Sequence, residues 1–386
     1  MTATPPIRVM AVIKSLGPGG AERLLVEFAR CARDVGIDLR VFTLLDQKRQ
    51  LIGEIEQAGV PVRCIGVHGL SEFRWMRELI AEVREHRPEV IHLHSPALAP
   101  FVRIASRWRF VGSPRPVLVT TEHNLWTSYR PTTRLADRLT ASFDDLTVTV
   151  SEEVRASLPS RRRRNRAIVL HHGIDRARVR EATARRTDTR RSLGLDDDEI
   201  VVVTVANYRT QKNYPNLLQA ASLACAESQR LRFVTVGQGP LQHDIEAEHR
   251  RLGLGDRMML LGLRTDVPDV LAAGDLFALS SDYEGLPVAL MEAMTLGLPV
   301  VATSVGGMVG VVGPGCGRLV PPRDSAALAR AILDVAQDQG LRRELGAGAQ
   351  RESERFDASV TANRLSELYA EALARHLRRR PARSTA

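Results

Sequence analysis

The chain has 386 residues, 44% apolar and 26% charged, an ordinary balance for a soluble globular protein and a length that favours two cores over one. No window approaches the roughly 18 to 20 uninterrupted apolar residues of a membrane-spanning helix. Residues 1–6 lack the basic and apolar regions of a secretion signal, so a cytoplasmic protein is expected. The formal net charge is +9, and of 54 basic residues only Lys14, Lys48 and Lys212 are lysines, so 51 are arginine. That charge is clustered in the four arginines of 161–164 and in a tail holding Arg378, Arg379, Arg380 and Arg383. Such clusters read either as solvated surface or as attraction to an anionic surface, either membrane phospholipid such as the inner face of the plasma membrane or nucleic acid. Aromatic content is 4% without basic-aromatic interleaving, which argues against single-strand nucleic-acid binding, and no nucleic-acid partner is expected. The cysteines Cys31, Cys64, Cys225 and Cys316 are widely spaced and fit buried thiols better than disulfides or a zinc site.

In chain order, residues 7–13 form an apolar strand that ends in a Gly-rich stretch, 15–20. A helix follows with Ala21, Leu24, Leu25, Phe28, Ala29, Ala32 and Val35 on one face, and Gly36 stops it. Further strands are expected at 39–45, 62–67, 90–93, 117–121 and 146–150, with helices such as 72–86 between them. A polar, Arg-rich stretch, 176–198, reads as a linker. The alternation then restarts with strand 200–205, helix 214–226, strand 231–236 and helix 240–252, followed by strands 258–261, 276–279 and 300–302. Short strands alternating with helices imply right-handed crossovers and parallel sheets. The expected class is α/β: two Rossmann-like, doubly wound domains facing a central cleft, with ligands at the carboxyl ends of the strands.

Two loops carry the chemistry. The first, 17–23, begins Gly17-Pro18-Gly19-Gly20, but Glu22 stands where a dinucleotide-binding loop has its third glycine. A carboxylate there would occupy the helix N-terminus in place of a pyrophosphate. The Walker pattern is absent as well, which leaves a phosphate-approaching backbone loop or a plain tight turn. The second segment, 281–294, places Glu284 in a Gly-containing loop after a strand and Glu292 on the helix that Pro287 starts. Glu292 is the one carboxylate of an otherwise apolar helix, a position that costs several kcal/mol unless something binds it. The two carboxylates can grip different parts of one polyhydroxyl ligand; the structural alternative is a glutamate paired with a core arginine.

Glu284 and Glu292, with seven residues between them, resemble the E-x7-E motif of the family 4 retaining glycosyltransferases, which have the GT-B fold. The segments 297–303, Val305-Gly306-Gly307, Val236-Gly237-Gln238-Gly239-Pro240 and Gly19-Gly20-Ala21-Glu22-Arg23 are similar to that family too. The resemblance implies a GT-B protein with an acceptor-side domain at 1–180, a nucleotide-sugar domain at 181–364, and a C-terminal helix at 365–386 that crosses back to the first domain with a basic tail. It implies that Glu284, helped by the backbone of Gly285 and Leu286, contacts the transferred sugar, and that Glu292 holds the ribose. Lys212 and Arg209 would neutralise the diphosphate, with Gly19 and Gly20 approaching it from the first domain. His123, in Thr121-Glu122-His123-Asn124, matches the histidine beside the reacting sugar.

Three positions depart from that pattern: Asn207 replaces an arginine, Gly310 a glutamate, and His172 an asparagine. Neither His92-Leu93-His94 nor His171-His172 has a second ligand cluster at zinc spacing, and Asp196-Asp197-Asp198 reads as a turn, so no metal and no cofactor beyond the sugar nucleotide is expected. Trp75, Trp108 and Trp126 show no sugar-stacking platform. The resemblance implies transfer from a nucleoside-diphosphate sugar to a glycan or lipid-linked acceptor in polysaccharide or glycolipid assembly, at the membrane surface. A sugar-nucleotide epimerase, a phosphorylase and a non-catalytic nucleotide-binding protein are the alternatives.

Overall fold

In the computed structural model, residues 5–108 and 115–378 are described; Arg379, Arg380 and Arg383 of the basic tail lie outside them. The chain forms two compact units, one built from the residues up to Gly173 together with the chain from Ala358 on, the other from Ile174–Asp357. The changes of unit therefore fall a few residues before the expected 180/181 and 364/365. The reason is local: the Ile174 N–H donates to the Phe356 carbonyl at 2.8 Å and Ile174 bridges to Asp357, so both ends of the second unit are tied at one point. The last helix, Ala358–Arg378, belongs wholly to the first unit, which is the return of the chain that the resemblance implied.

The first unit holds seven strands: β1 (Ile7–Ile13), β2 (Ile37–Leu45), β3 (Val62–Val67), β4 (Val90–Leu93), β5 (Val117–Glu122), β6 (Leu146–Thr149) and β7 (Ile168–Val169). Their order is β3-β2-β1-β4-β5-β6-β7, with every pairing parallel. Side chains alternate across a strand, so Val9, Ala11 and Ile13 face one core and Met10 and Val12 the other. The first core is closed by helices Gly20–Ala32 and Ala358–Arg378, through Leu25, Ala29, Leu368 and Tyr369. The second is closed by helices Arg74–His86 and Ala99–Trp108, through Trp75, Leu79 and Val102.

The second unit has β8 (Ile200–Val205), β9 (Leu231–Val236), β10 (Met258–Leu260), β11 (Leu276–Leu279), β12 (Val300–Thr303) and β13 (Gly317–Val320), again all parallel, in the order β10-β9-β8-β11-β12-β13. In both sheets the strand order reverses beside the first strand, between β1 and β4 and between β8 and β11. Ligands of open α/β sheets bind at that crevice, beyond the carboxyl ends of the strands.

The Arg-rich stretch is not a loose linker. It folds into helices Arg176–Glu181 and Arg186–Ser192 that belong to the second unit. Arg186 and Arg190 both reach Asp275, and Arg190 also donates to the carbonyls of Ala273 and Glu199. A high density of arginine conceals this, because the Ala273 carbonyl and the Asp275 carboxylate that they reach lie more than 80 residues away in sequence. Among the described residues, no helix is long and apolar enough to cross a membrane.

Candidate active site

In the second unit, the loops that follow β8 and β11 meet at the reversal point. After β8 the chain passes Ala206, Tyr208 and Arg209 into a short 3-10 turn, Thr210–Lys212, and Asn213 then takes a left-handed conformation at φ 46°. After β11 it runs through Ser280, Ser281 and Asp282 to Glu284. The two loops are laced together: Asp282 N–H donates to the Gln211 carbonyl at 2.8 Å, Ser280 Oγ donates to the Lys212 carbonyl at 2.9 Å, and Asn213 Nδ2 donates to Asp282 at 2.8 Å.

This lacing puts Lys212 Nζ 2.5 Å from Glu284 Oε1. Ser281 Oγ donates to the same oxygen at 2.5 Å, and Gln211 Nε2 donates to Oε2 at 3.1 Å. Glu284 is 3% exposed, so an ionised carboxylate needs these donors. Gly285 and Leu286 are buried beside it. The Gly306-Gly307 turn is packed on this loop: Gly307 N–H donates to the Gly285 carbonyl at 2.6 Å, and a Cβ on Gly306 would stand 2.0 Å from the Glu284 carbonyl oxygen. The Gly237-Gln238-Gly239 turn lies as closely on the other loop, where a Cβ on Gly237 would stand 2.0 Å from the Ala206 oxygen. The glycines of both motifs are therefore required by close backbone approach within the protein.

Glu292 sits on helix Val288–Thr295 and is only half-buried, while Leu290, Met291, Ala293 and Met294 are buried. The expectation of a carboxylate sunk in an apolar helix is corrected here. The helix leaves Glu292 half-buried on the same side as Val288 and Ala289, and Glu284 is the buried carboxylate. Arg209 is exposed, and no carboxylate pairs with it among the described residues. Asp282, next to Glu284 in the same loop, is engaged by Arg323 at 2.8 Å.

In the first unit, His123 follows β5, and both of its ring nitrogens meet other imidazoles. His172 Nε2 lies 3.2 Å from His123 Nδ1, and His94 Nδ1 lies 3.3 Å from His123 Nε2. The His123 and His172 rings stack at 4.9 Å between centroids. Below them His92 is held between Tyr369 Oη at 2.6 Å and Thr121 Oγ1 at 2.7 Å. Burial pushes the His92 imidazole down to about 3 and that of His123 to about 4; His94 and His172 are lowered as well, by burial first and neighbouring rings second. The cluster is therefore neutral at pH 7, with each ring able to donate from one nitrogen and accept at the other. His94 Nε2 is buried without a partner among the described residues. His94 and His172, not singled out as site residues from sequence, are the nearest neighbours of the one histidine that was.

Glu122, immediately before His123, is buried and accepts from Arg163 at 2.7 Å and from Tyr129 Oη at 2.9 Å. Burial raises its pKa, and Arg163 opposes that. Arg163 also pairs with Asp137, which pairs with Arg103 at 2.7 Å. Burial pushes the Asp137 pKa up, but Arg163 and Arg103 outweigh it and leave the carboxyl below its ordinary value. One of the four consecutive arginines is thus an interior residue, which corrects the reading of the run as a uniform surface patch. Gly19 and Gly20 open helix Gly20–Ala32, and a Cβ on Gly19 would come within 2.2 Å of Glu22 Oε2, so this helix N-terminus faces its own carboxylate. Trp75 is fully buried in the core, and Trp126 donates from Nε1 to Asp137 at 2.8 Å. Cys225 and Cys316 are buried as expected, whereas Cys31 and Cys64 are only half-buried.

Two doubly wound parallel units, one with a Lys–Glu pair at the reversal of its sheet and the other with a histidine cluster at the carboxyl ends of β4, β5 and β7, have the architecture of the GT-B transferases. Residues 18–178 match the family model "Glycosyltransferase Family 4" and residues 185–352 match "Glycosyl transferases group 1". The chain belongs to this family of glycosyltransferases. It is 27% identical over 330 residues to the alpha-D-kanosaminyltransferase of Streptomyces kanamyceticus, covering 80% of this chain and 83% of that protein. It is 25% identical over 300 residues to the UDP-Gal:alpha-D-GlcNAc-diphosphoundecaprenol alpha-1,3-galactosyltransferase of Escherichia coli, covering 73% and 75%. Among solved structures, Anabaena HepE in complex with UDP-glucose superposes with a TM-score of 0.82 at 25% identity, over 96% of this chain and all of HepE.

Proposed function

We propose that this glycosyltransferase moves a sugar from a nucleoside-diphosphate donor to a glycan or lipid-linked acceptor, with retention at the anomeric carbon and without a bound metal. The observation that carries the reading is the Lys212–Glu284 pair at the β8/β11 reversal, a cation and a hydrogen-bonding carboxylate at the carboxyl end of a nucleotide-type sheet. Lys212, with Arg209 beside it, neutralises the diphosphate as negative charge develops on departure. Glu284, with the backbone of Gly285 and Leu286, accepts from the sugar hydroxyls, and Glu292 holds the ribose. Gly19, Gly20 and His123 are the first unit's candidate residues for the same reaction.

No residue among these is a suitable covalent nucleophile, which favours attack from the same face. The bond from the anomeric carbon to the diphosphate oxygen breaks, the acceptor oxygen forms the new bond, and the acceptor's proton passes to the departing phosphate. The lysine and arginine side chains replace the metal as charge stabilisers. The names of two relatives favour a uridine donor, since HepE was crystallised with UDP-glucose and the Escherichia coli enzyme uses UDP-Gal. The diphosphoundecaprenol acceptor of the latter supports a lipid-linked acceptor and work at a membrane surface.

A panel of UDP-, GDP- and ADP-sugars, read as nucleoside diphosphate released with and without acceptor, tests the assignment. Release must depend on one donor class, survive EDTA, and give an α-linked product from an α-linked donor by NMR. Interconversion of donor sugars without release would make the protein an epimerase. Release that requires inorganic phosphate would make it a phosphorylase. Tight donor binding with neither transfer nor hydrolysis would make it a binding protein.

A further inference from the structure

Helix Pro131–Thr140 in the first unit is inverted. Its buried residues are polar, Asp137 at 1% and Thr140 at 7% exposure, while Leu135 and Leu139, one turn apart, are 61% and 70% exposed. A helix folded only for its own domain would turn its leucines inward. Here the inward face is committed to the Arg103 and Arg163 ion pairs of Asp137, so the leucines are held outward by polar contacts beneath them.

Apolar exposure continues on the neighbouring elements. Helix Ala99–Trp108 packs against this helix and exposes Ile104 at 47%. One turn before Ile104, Phe101 stacks edge-on with Phe73 at 6.2 Å, and Phe73 is 61% exposed. Four of the nine large, exposed apolar side chains among the described residues thus belong to this helical layer.

The surrounding charge is one-signed. Arg138 stands exposed between the two leucines, and Arg161 and Arg162 are exposed on helix Arg161–Arg166, which the Arg163–Asp137 pair fastens to the same helix. Asp137 is the only acid on the two helices and is buried, and among the described residues no carboxylate pairs with Arg138, Arg161 or Arg162. Exposed leucines among unpaired arginines match a bilayer whose headgroups are anionic, the leucines entering the acyl boundary and the arginines meeting phosphates. A protein partner would need its own acidic, apolar face, for which nothing in the chain argues.

We propose that the outer face of helices Ala99–Trp108, Pro131–Thr140 and Arg161–Arg166 is the surface by which this protein docks on an anionic membrane. This rests on the lipid-linked reading of the acceptor and specifies where the protein meets the bilayer. Docking places the acceptor-side unit against the surface that carries a lipid-linked substrate.

The test is co-sedimentation of the full chain with phosphatidylcholine vesicles, with and without phosphatidylglycerol, at physiological salt. Wild type is expected to sediment with the anionic vesicles and to stay in solution with the neutral ones. Leu135→Glu with Leu139→Glu, and separately Arg138→Glu with Arg161→Glu and Arg162→Glu, should each weaken partition by about ten-fold or more. Vesicle-free donor turnover should be unchanged in both variants. Sedimentation of either variant equal to wild type, or no sedimentation of wild type, overturns the proposal. Loss in the leucine variant of a concentration-dependent dimer seen for wild type also overturns it, since the face would then bind a second copy. Failure of donor turnover in wild type bears on the proposed chemistry alone, because sedimentation needs no donor.

Discussion

Lys212 Nζ and Glu284 Oε1 lie 2.5 Å apart at the point where the sheet of the second unit reverses direction, so the cation and the carboxylate of the candidate site neutralise each other before any ligand arrives. The pair ties two loops 72 residues apart in sequence. A donor diphosphate would draw on Lys212 while Glu284 keeps Gln211 and Ser281 as donors, which makes the carboxylate the fixed half and the lysine the exchangeable half.

Removing the lysine should therefore hurt both stability and turnover. Lys212→Ala leaves Glu284 buried without its counter-charge, a loss of about 2–4 kcal/mol given that Lys212 is partly open to solvent. Lys212→Ala combined with Glu284→Gln should restore most of the melting temperature but none of the turnover. Wild-type turnover in the single variant would remove Lys212 from the proposed site.

Gly306 is predicted to act through Glu284. Its φ is +53° and a Cβ would stand 2.0 Å from the Glu284 carbonyl oxygen, so Gly306→Ala must displace the loop. Turnover should fall at least ten-fold while donor binding through Glu292 persists. Gly313→Ala, where a Cβ meets nothing within 4 Å, is the control and should be silent.

The four arginines at 161–164 should separate sharply by alanine scanning in urea. Arg163→Ala strips Glu122 and Asp137 of a shared buried partner and is expected to cost about 3–5 kcal/mol. Arg161→Ala and Arg162→Ala should stay within about 0.5 kcal/mol. Equal effects at all positions would contradict the buried network.

Acid should destabilise the first unit through its histidines. The folded values of His92, near 3, and His123, near 4, lie below the ordinary 6.5, so the unfolded chain takes up protons first as pH falls. Their contribution is fully present above about pH 6.5 and is lost as pH falls, through about 4 for His123 and about 3 for His92. Each such group contributes a slope of about 1.4 kcal/mol per pH unit in that window. Glu122 and Asp144, whose values burial raises, act in the opposite direction. Melting temperatures from pH 7 to pH 5 should fall steeply, and His94→Gln should flatten the slope. A pH-independent melting temperature over that range would count against a neutral, buried cluster.

Much of the fold was legible because it is local. Strands β1, β4, β8, β9 and β11 have the bounds that apolar runs between turn residues predict, since a strand buried on both faces needs nothing more than such a run, and the half-buried edge strand β3 has its expected bounds as well. β7 and β13 were not foreseen: the first is two residues long, and the second opens Gly-Arg, so neither carries that signal. The loop residues Lys212 and Glu284 were legible as motif positions, but their direct pairing was not. Glu292 was read as the buried carboxylate because its helix is apolar on nearly every side, yet burial is decided by which side meets neighbours. His94 and His172 are legible only as members of close histidine pairs, and His172 as a departure from the family pattern; their meeting at His123 is not, because two histidines 78 residues apart give no periodic signal.

By itself the sequence determined the alternation of strand and helix, the two parallel sheets and the loops that bear the candidate residues, and the resemblance of its motifs pointed to the glycosyltransferase family. The alternation and the loops follow from spacing within a few residues. The tertiary structure alone decided which arginine of the four is buried, which carboxylate needs a counter-charge, and which histidines surround His123. Those outcomes depend on contacts such as Arg163 with Glu122 across 41 residues and His92 with Tyr369 across 277, where the energy comes from desolvation that only the packed chain imposes.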